Sequence, residues 1–91
     1  MDLVLYFTKI GEIEVRLVKG ARVVDALDFS FHGNLDDLLI SAVDKILKKN
    51  RIRALSLKTV RVDGDVDKNS SAYKIAATFT KAWKQAKKLY I

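Results

Sequence analysis

The first apolar residues come without a break, since LVLYFT at residues 3–8 holds no charge and is shorter than most helices. A run of that length and composition predicts a strand covered on both faces and central in its sheet. After the turn Lys9-Ile10-Gly11 the pattern changes to alternation in EIEVRLV (12–18), with Ile13, Val15 and Leu17 interleaved with Glu12, Glu14 and Arg16. A period of two puts one face in the core and the other in water. Lys19-Gly20 supplies a second turn, its glycine tolerating the positive φ that tight hairpins use, and ARVVDALDFSF (21–31) predicts a third strand. The three strands form an antiparallel meander.

The period then lengthens. His32-Gly33 breaks the strand, Asn34 is placed to cap a helix, and Asp36 and Asp37 suit the positive end of its dipole. The helix is expected over about 35–49. Its apolar residues Leu35, Leu38, Leu39, Ile40, Ala42, Val43, Ile46 and Leu47 cover an arc of about 200° at ~100° per residue, roughly twice what a helix resting on one sheet needs. Two readings follow: a deeply embedded helix, or a second apolar flank of Ile40, Val43 and Leu47 kept for a partner. Beyond the basic connection KKNRIRA, SLKTVRV (56–62) is rich in β-branched residues and predicts a fourth strand. From Ser71 to Tyr90 the helical period returns, with Ala72, Ile75, Ala76, Phe79, Ala82, Trp83, Ala86 and Leu89 on one stripe. Lys74, Lys81 and Lys88 recur on the opposite side, with Lys84 and Lys87 on its flanks.

The expected order is β-β-β-α-β-α, an α/β fold with a mixed four-stranded sheet and two helices. With no proline and no internal repeat, residues 1–91 read as a single domain. No apolar run approaches the ~20 residues that span a bilayer, so neither a membrane span nor a signal peptide is expected. The chain has no cysteine and one histidine, which excludes disulfides, thiolate chemistry and multi-histidine metal sites. A cytoplasmic protein fits that composition. The net charge of +6 is uneven: residues 1–45 hold five Lys/Arg against eight Asp/Glu, and residues 46–91 hold twelve against three. A basic half of this kind is either a solvated surface or the footprint of an acidic or nucleic-acid partner.

One stretch invites a chemical reading. VDGDVDKNSS (62–71) puts Asp63, Asp65 and Asp67 at alternate positions, as a calcium-binding EF-hand loop does. Lys68 and Lys74 occupy the places where that loop needs its glycine and its bidentate glutamate, and a strand, not a helix, precedes Asp63. The loop is therefore expected to launch the second helix, with Ser70 and Ser71 as caps, and to hold no metal. His32 has no acid or nucleophile partner in the sequence and reads as a turn residue.

Four stretches together resemble a known family: the short hydrophobic first strand, the LLISAVDKILKKN helix, the SLKTVRV strand, and the loop and helix SSAYKIAATFTKAW. Their order resembles the start of the ribonuclease H-like fold shared by sugar kinases, actin and Hsp70 ATPases. Within it, the chain looks most like the first lobe of the bacterial TsaB (YeaZ) proteins, which help to make threonylcarbamoyladenosine in tRNA. In that alignment Ser71, Ala72, Tyr73, Lys74, Ile75 and Lys81 stand for the Thr, Gly, Leu, Arg, Ile and Lys of the family's second helix. The resemblance covers nearly all of this chain and about half of a family member. DVDKN replaces the family's Gly-Pro-Gly, and Tyr6, Phe7 and Thr8 stand where many relatives carry an aspartate, so no cofactor and no two-metal catalysis is expected.

The resemblance implies a non-catalytic subunit that pairs through its two helices, either with a TsaD-like paralogue or with itself as a homodimer. Core and contact surface are expected to be drawn from Leu39, Ile40, Val43, Leu47, Ala76, Phe79, Ala82 and Trp83. The alternative function is a non-specific RNA- or DNA-binding module that uses Lys48, Lys49, Arg51, Arg53, Lys74, Lys81, Lys84 and Lys88, with Lys58 and Arg61 beside them. On that reading Trp83 and Phe79 are core residues, not stacking platforms.

Overall fold

A computed structural model describes residues 1–89. Strands β1 (Asp2–Lys9), β2 (Glu12–Lys19) and β3 (Arg22–Ser30) are followed by helix α1 (Leu35–Lys49), a 3-10 turn (Ala54–Ser56), strand β4 (Thr59–Gly64) and helix α2 (Ser71–Leu89). The sheet order is β3-β2-β1-β4, with β1 antiparallel to β2 and parallel to β4. This is the β-β-β-α-β-α arrangement with a mixed four-stranded sheet that the sequence pattern predicts. Of the second helix, the expected Tyr90 lies outside the described residues.

Register explains the core. Leu3, Leu5 and Phe7 of β1 stand opposite Leu17, Val15 and Ile13 of β2, and all six are at most 2% exposed. Both helices lie over this layer: α1 packs on β2 and β3, and α2 on β4 and the 3-10 turn. Leu35, Leu39, Ala42, Val43, Ile46 and Leu47 fill the α1 side, while Leu57, Val60 and Ala76 close the α2 side. Burying each of the larger side chains contributes about 1.5–3 kcal/mol. The wide arc of α1 is thus mostly core, because α1 meets the sheet below and α2 at its side.

The expectation that β1 is covered on both faces is corrected in its means. β1 is central, and its Val4 is buried, yet both helices pack on the opposite face of the sheet. On Val4's face its register partners are Arg16 of β2 and Arg61 of β4. The Arg16 guanidinium reaches across to β1, 3.8 Å from the centroid of the Tyr6 ring, and pairs with Glu14.

Ends of elements follow local chemistry, with one departure. Asn34 does not cap α1 through its side chain; its Oδ1 accepts instead from the His32 N–H at 3.4 Å. At the other end Arg51 adopts φ 56°, and the Asn50 and Arg51 amides donate to the Ile46 and Lys48 carbonyls, which terminates the helix without a glycine. Asn50 Nδ2 also donates to Asp25 Oδ2 at 2.9 Å and to the Ile46 carbonyl at 2.7 Å. Lys49 is 3.3 Å from the same carboxylate. Hydrogen bonds from Asn50 and the Ala26 amide, with Lys49 beside it, hold the Asp25 carboxyl below its ordinary range. This clamp ties the end of α1 to β3.

Ser70 is the cap of α2. Its Oγ accepts from the Tyr73 N–H at 3.1 Å and donates to the Asp67 carbonyl at 2.6 Å. Ser70→Ala is expected to cost about 1 kcal/mol and to lower the calorimetric Tm by ~4–8 °C. An unchanged Tm would show that the loop, not this hydroxyl, starts the helix.

Candidate interaction surfaces

The topology sets α1 and α2 side by side and in the same direction. Each follows a strand parallel to β1, and α2 returns along β4 until Trp83 and Lys87 reach the segment before it. Between the helices runs an apolar groove of about 400 Å³, lined by Asp36, Leu39 and Ile40 of α1 and Lys74, Ile75, Thr78, Phe79 and Ala82 of α2. Leu39 is its buried floor, and Ile40, 59% exposed, is its outer lip.

The eight residues expected to supply core and contact surface therefore separate. Leu39, Val43, Leu47 and Ala76 are core. Ile40, Phe79 and Ala82 line the groove, so the partner-facing flank of α1 narrows from three residues to Ile40 alone, because Val43 and Leu47 are used within the chain. Trp83 is turned away from the groove. Its Nε1–H donates to the Ala54 carbonyl at 2.7 Å, and the Lys87 ammonium stands 5.1 Å from the ring centroid. The α2 stripe splits in the same way, Ala76 buried and Leu89 82% exposed, while Thr80, outside the predicted stripe, is also buried, its hydroxyl donating to the Ala76 carbonyl at 3.0 Å.

The basic residues fall into separate groups. Lys48 is 3.0 Å from Asp44, Lys49 is held at Asp25, and Arg51 and Arg53 lie on the connection after α1. Lys74 borders the apolar groove. Lys81, Lys84 and Lys88 lie on the opposite flank of α2, beside the free edge of β4. Lys58, expected among the basic residues, joins them there, and so does Lys87, which the sequence placed only on a flank of the helix.

A recess of about 680 Å³ lies where β1 and β4 end beside the start of α2, lined among others by Phe7, Ile10, Phe31, His32, Asp65, Val66, Asp67 and Ser70. Phe7 and Phe31 meet edge to face there, with centroids 6.4 Å apart. One of its carboxylates serves the loop, Asp67 Oδ1 accepting from the Asn69 amide at 2.9 Å, just as Asp63 Oδ1, outside the recess, accepts from the Gly64 amide at 2.8 Å. Among the described residues no group of three or more His, Cys, Asp or Glu could hold a metal ion. No described helix is long and apolar enough to cross a membrane.

No protein-family model matches the chain, and no curated protein matches it. The functional reading rests on the surfaces themselves.

Proposed function

We propose that the chain is a non-catalytic association module that binds a second copy of itself through the α1–α2 groove. One observation carries this reading: Ile40, Ile75, Phe79 and Ala82 converge on one groove over the buried Leu39. Isolated exposed aliphatic residues are ordinary, whereas a continuous apolar recess between two aligned helices is a docking surface. Asp36 and Lys74 mark opposite rims at the same end. A two-fold axis along the groove lays α1 over the second copy's α2 and brings Asp36 opposite Lys74, whereas an axis across the helices stacks α1 on α1 and leaves both charges unmatched.

The first geometry forms a four-helix interface with self-complementary charge. Each exposed pair contributes only ~0.2–1 kcal/mol and fixes orientation, while apolar burial at ~25 cal/mol per Å² drives association. The TsaB-like pattern supports the same helices as the pairing surface. A place in tRNA modification beside a TsaD-like paralogue rests on that resemblance alone.

Light scattering on size-exclusion fractions at ~100 µM, well above a micromolar Kd, is expected to give a dimer. Ile40→Asp is expected to give a monomer whose Tm is unchanged when compared at a concentration low enough for the wild type to be monomeric too, since Ile40 contributes little to the folded chain's core and association alone raises the wild-type Tm. A monomeric wild type would overturn self-association. Binding of a purified TsaD-like protein that Ile40→Asp abolishes would reassign the groove to that partner.

A further inference from the structure

β4 is an edge of the sheet, and α2 overhangs it. Between them lie two adjoining recesses of about 320 and 280 Å³ that share Lys84. The cations around them are Arg61, Lys81 and Lys84 in one and Lys58, Lys84, Lys87 and Lys88 in the other, and neither lining contains an Asp or Glu. None of these six forms an ion pair among the described residues, where the pairs are Lys9–Glu12, Arg16–Glu14, Lys48–Asp44 and Lys49–Asp25. Asp2, whose carboxyl is held below its ordinary range by the Thr59 hydroxyl at 2.6 Å and by charges that include Lys58 and Arg61, is already engaged. Two aromatic rings, Tyr73 and Trp83, are half-buried in the same linings. Lys87 is anchored, donating to the Leu57 and Lys58 carbonyls, and Arg61, in register with Val4, leaves β4 on the face away from α2, so that Lys58, Lys81, Lys84 and Lys88 are the cations free to turn toward a ligand.

We infer that this groove binds single-stranded nucleic acid. A row of unpaired cations follows a phosphate backbone, and recessed rings accept bases only from a strand whose bases are unstacked. From Tyr73 to Lys88 the groove is about 22 Å long by helical rise, room for several nucleotides. A duplex keeps its bases inside and reaches only the rim lysines; a flat anionic bilayer does the same. The site is independent of the α1–α2 groove, because Ile75, Phe79 and Ala82 face α1 while Ala77, Lys84 and Lys88 face away from it.

The test is titration of the full chain with a fluorescent dodecamer of deoxythymidine or uridine, read by anisotropy and by quenching of Trp83, the only tryptophan. Neutralising four or five phosphates predicts an affinity loss on the order of 50- to 130-fold between 50 and 200 mM salt, from a slope of about −0.7 per phosphate. Lys81→Glu/Lys84→Glu is expected to weaken binding at least tenfold, whereas Lys45→Glu/Lys48→Glu, with the same net charge, is expected to leave it within twofold. Equal loss in both double variants would overturn the site in favour of a diffuse field. Equal affinity for duplex, heparin or phosphatidylserine vesicles would overturn the single-strand assignment, as would binding without Trp83 quenching.

Discussion

Gly64→Ala is expected to lose roughly 3 kcal/mol or more, combining ~1–3 kcal/mol of backbone strain with ~1–3 kcal/mol of overpacking, and to melt ~12–24 °C below the wild type. Gly64 ends β4 at φ +97°, and a Cβ built there meets the Phe7 carbonyl oxygen at 2.3 Å and the Phe7 nitrogen at 2.7 Å. Those atoms belong to the central strand, paired in register with Gly64, and the Phe7 carbonyl also accepts from the Asp65 amide at 2.9 Å. Neither backbone can yield without opening the β1–β4 pairing that carries α2. Gly20→Ala is the matched control. Gly20 has φ +63° but nothing within 4 Å of its Cβ position, so only the conformational cost applies, about 1 kcal/mol. Equal melting shifts in the two variants would show that positive φ alone, and not the approach to Phe7, sets the requirement.

Gly64 marks where the sequence stopped being legible. VDGDVDKNSS draws the eye to its aspartates, whose spacing is local and visible, while the glycine that matters answers to a strand 57 positions earlier in the register Phe7↔Gly64. Elements governed by their own periodicity were readable. α1 spans the expected residues, and β2 shows alternating burial because its pattern repeats every two positions. The start of β4 was not readable: Ala54–Ser56 folds into a 3-10 turn, and the Trp83 N–H seals it from 29 positions away. Burial on α1 depended in the same way on α2, which covers the flank that holds Val43 and leaves Ile40 out.

For the groove, this division makes core and contact separable by experiment, and Leu39→Ala is the decisive variant. Leu39 is 1% exposed and belongs to both the core and the groove floor, so its truncation is expected to cost ~2–5 kcal/mol in transfer and cavity energy. A domain of this size holds about 5–14 kcal/mol in all, at about 0.05–0.15 kcal/mol per residue. Urea denaturation of Leu39→Ala should therefore show a midpoint reduced by a large fraction, with the slope unchanged if the same surface is exposed. Ile40, one residue along the same helix, points to solvent, and Ile40→Asp is expected to stay within about 0.5 kcal/mol of the wild-type chain when both are measured as monomers. Adjacent residues then report on different equilibria, folding for Leu39 and association for Ile40. If Ile40→Asp destabilised the monomer as much as Leu39→Ala does, the groove would be an internal packing seam, and a protein partner would have to be sought on another surface.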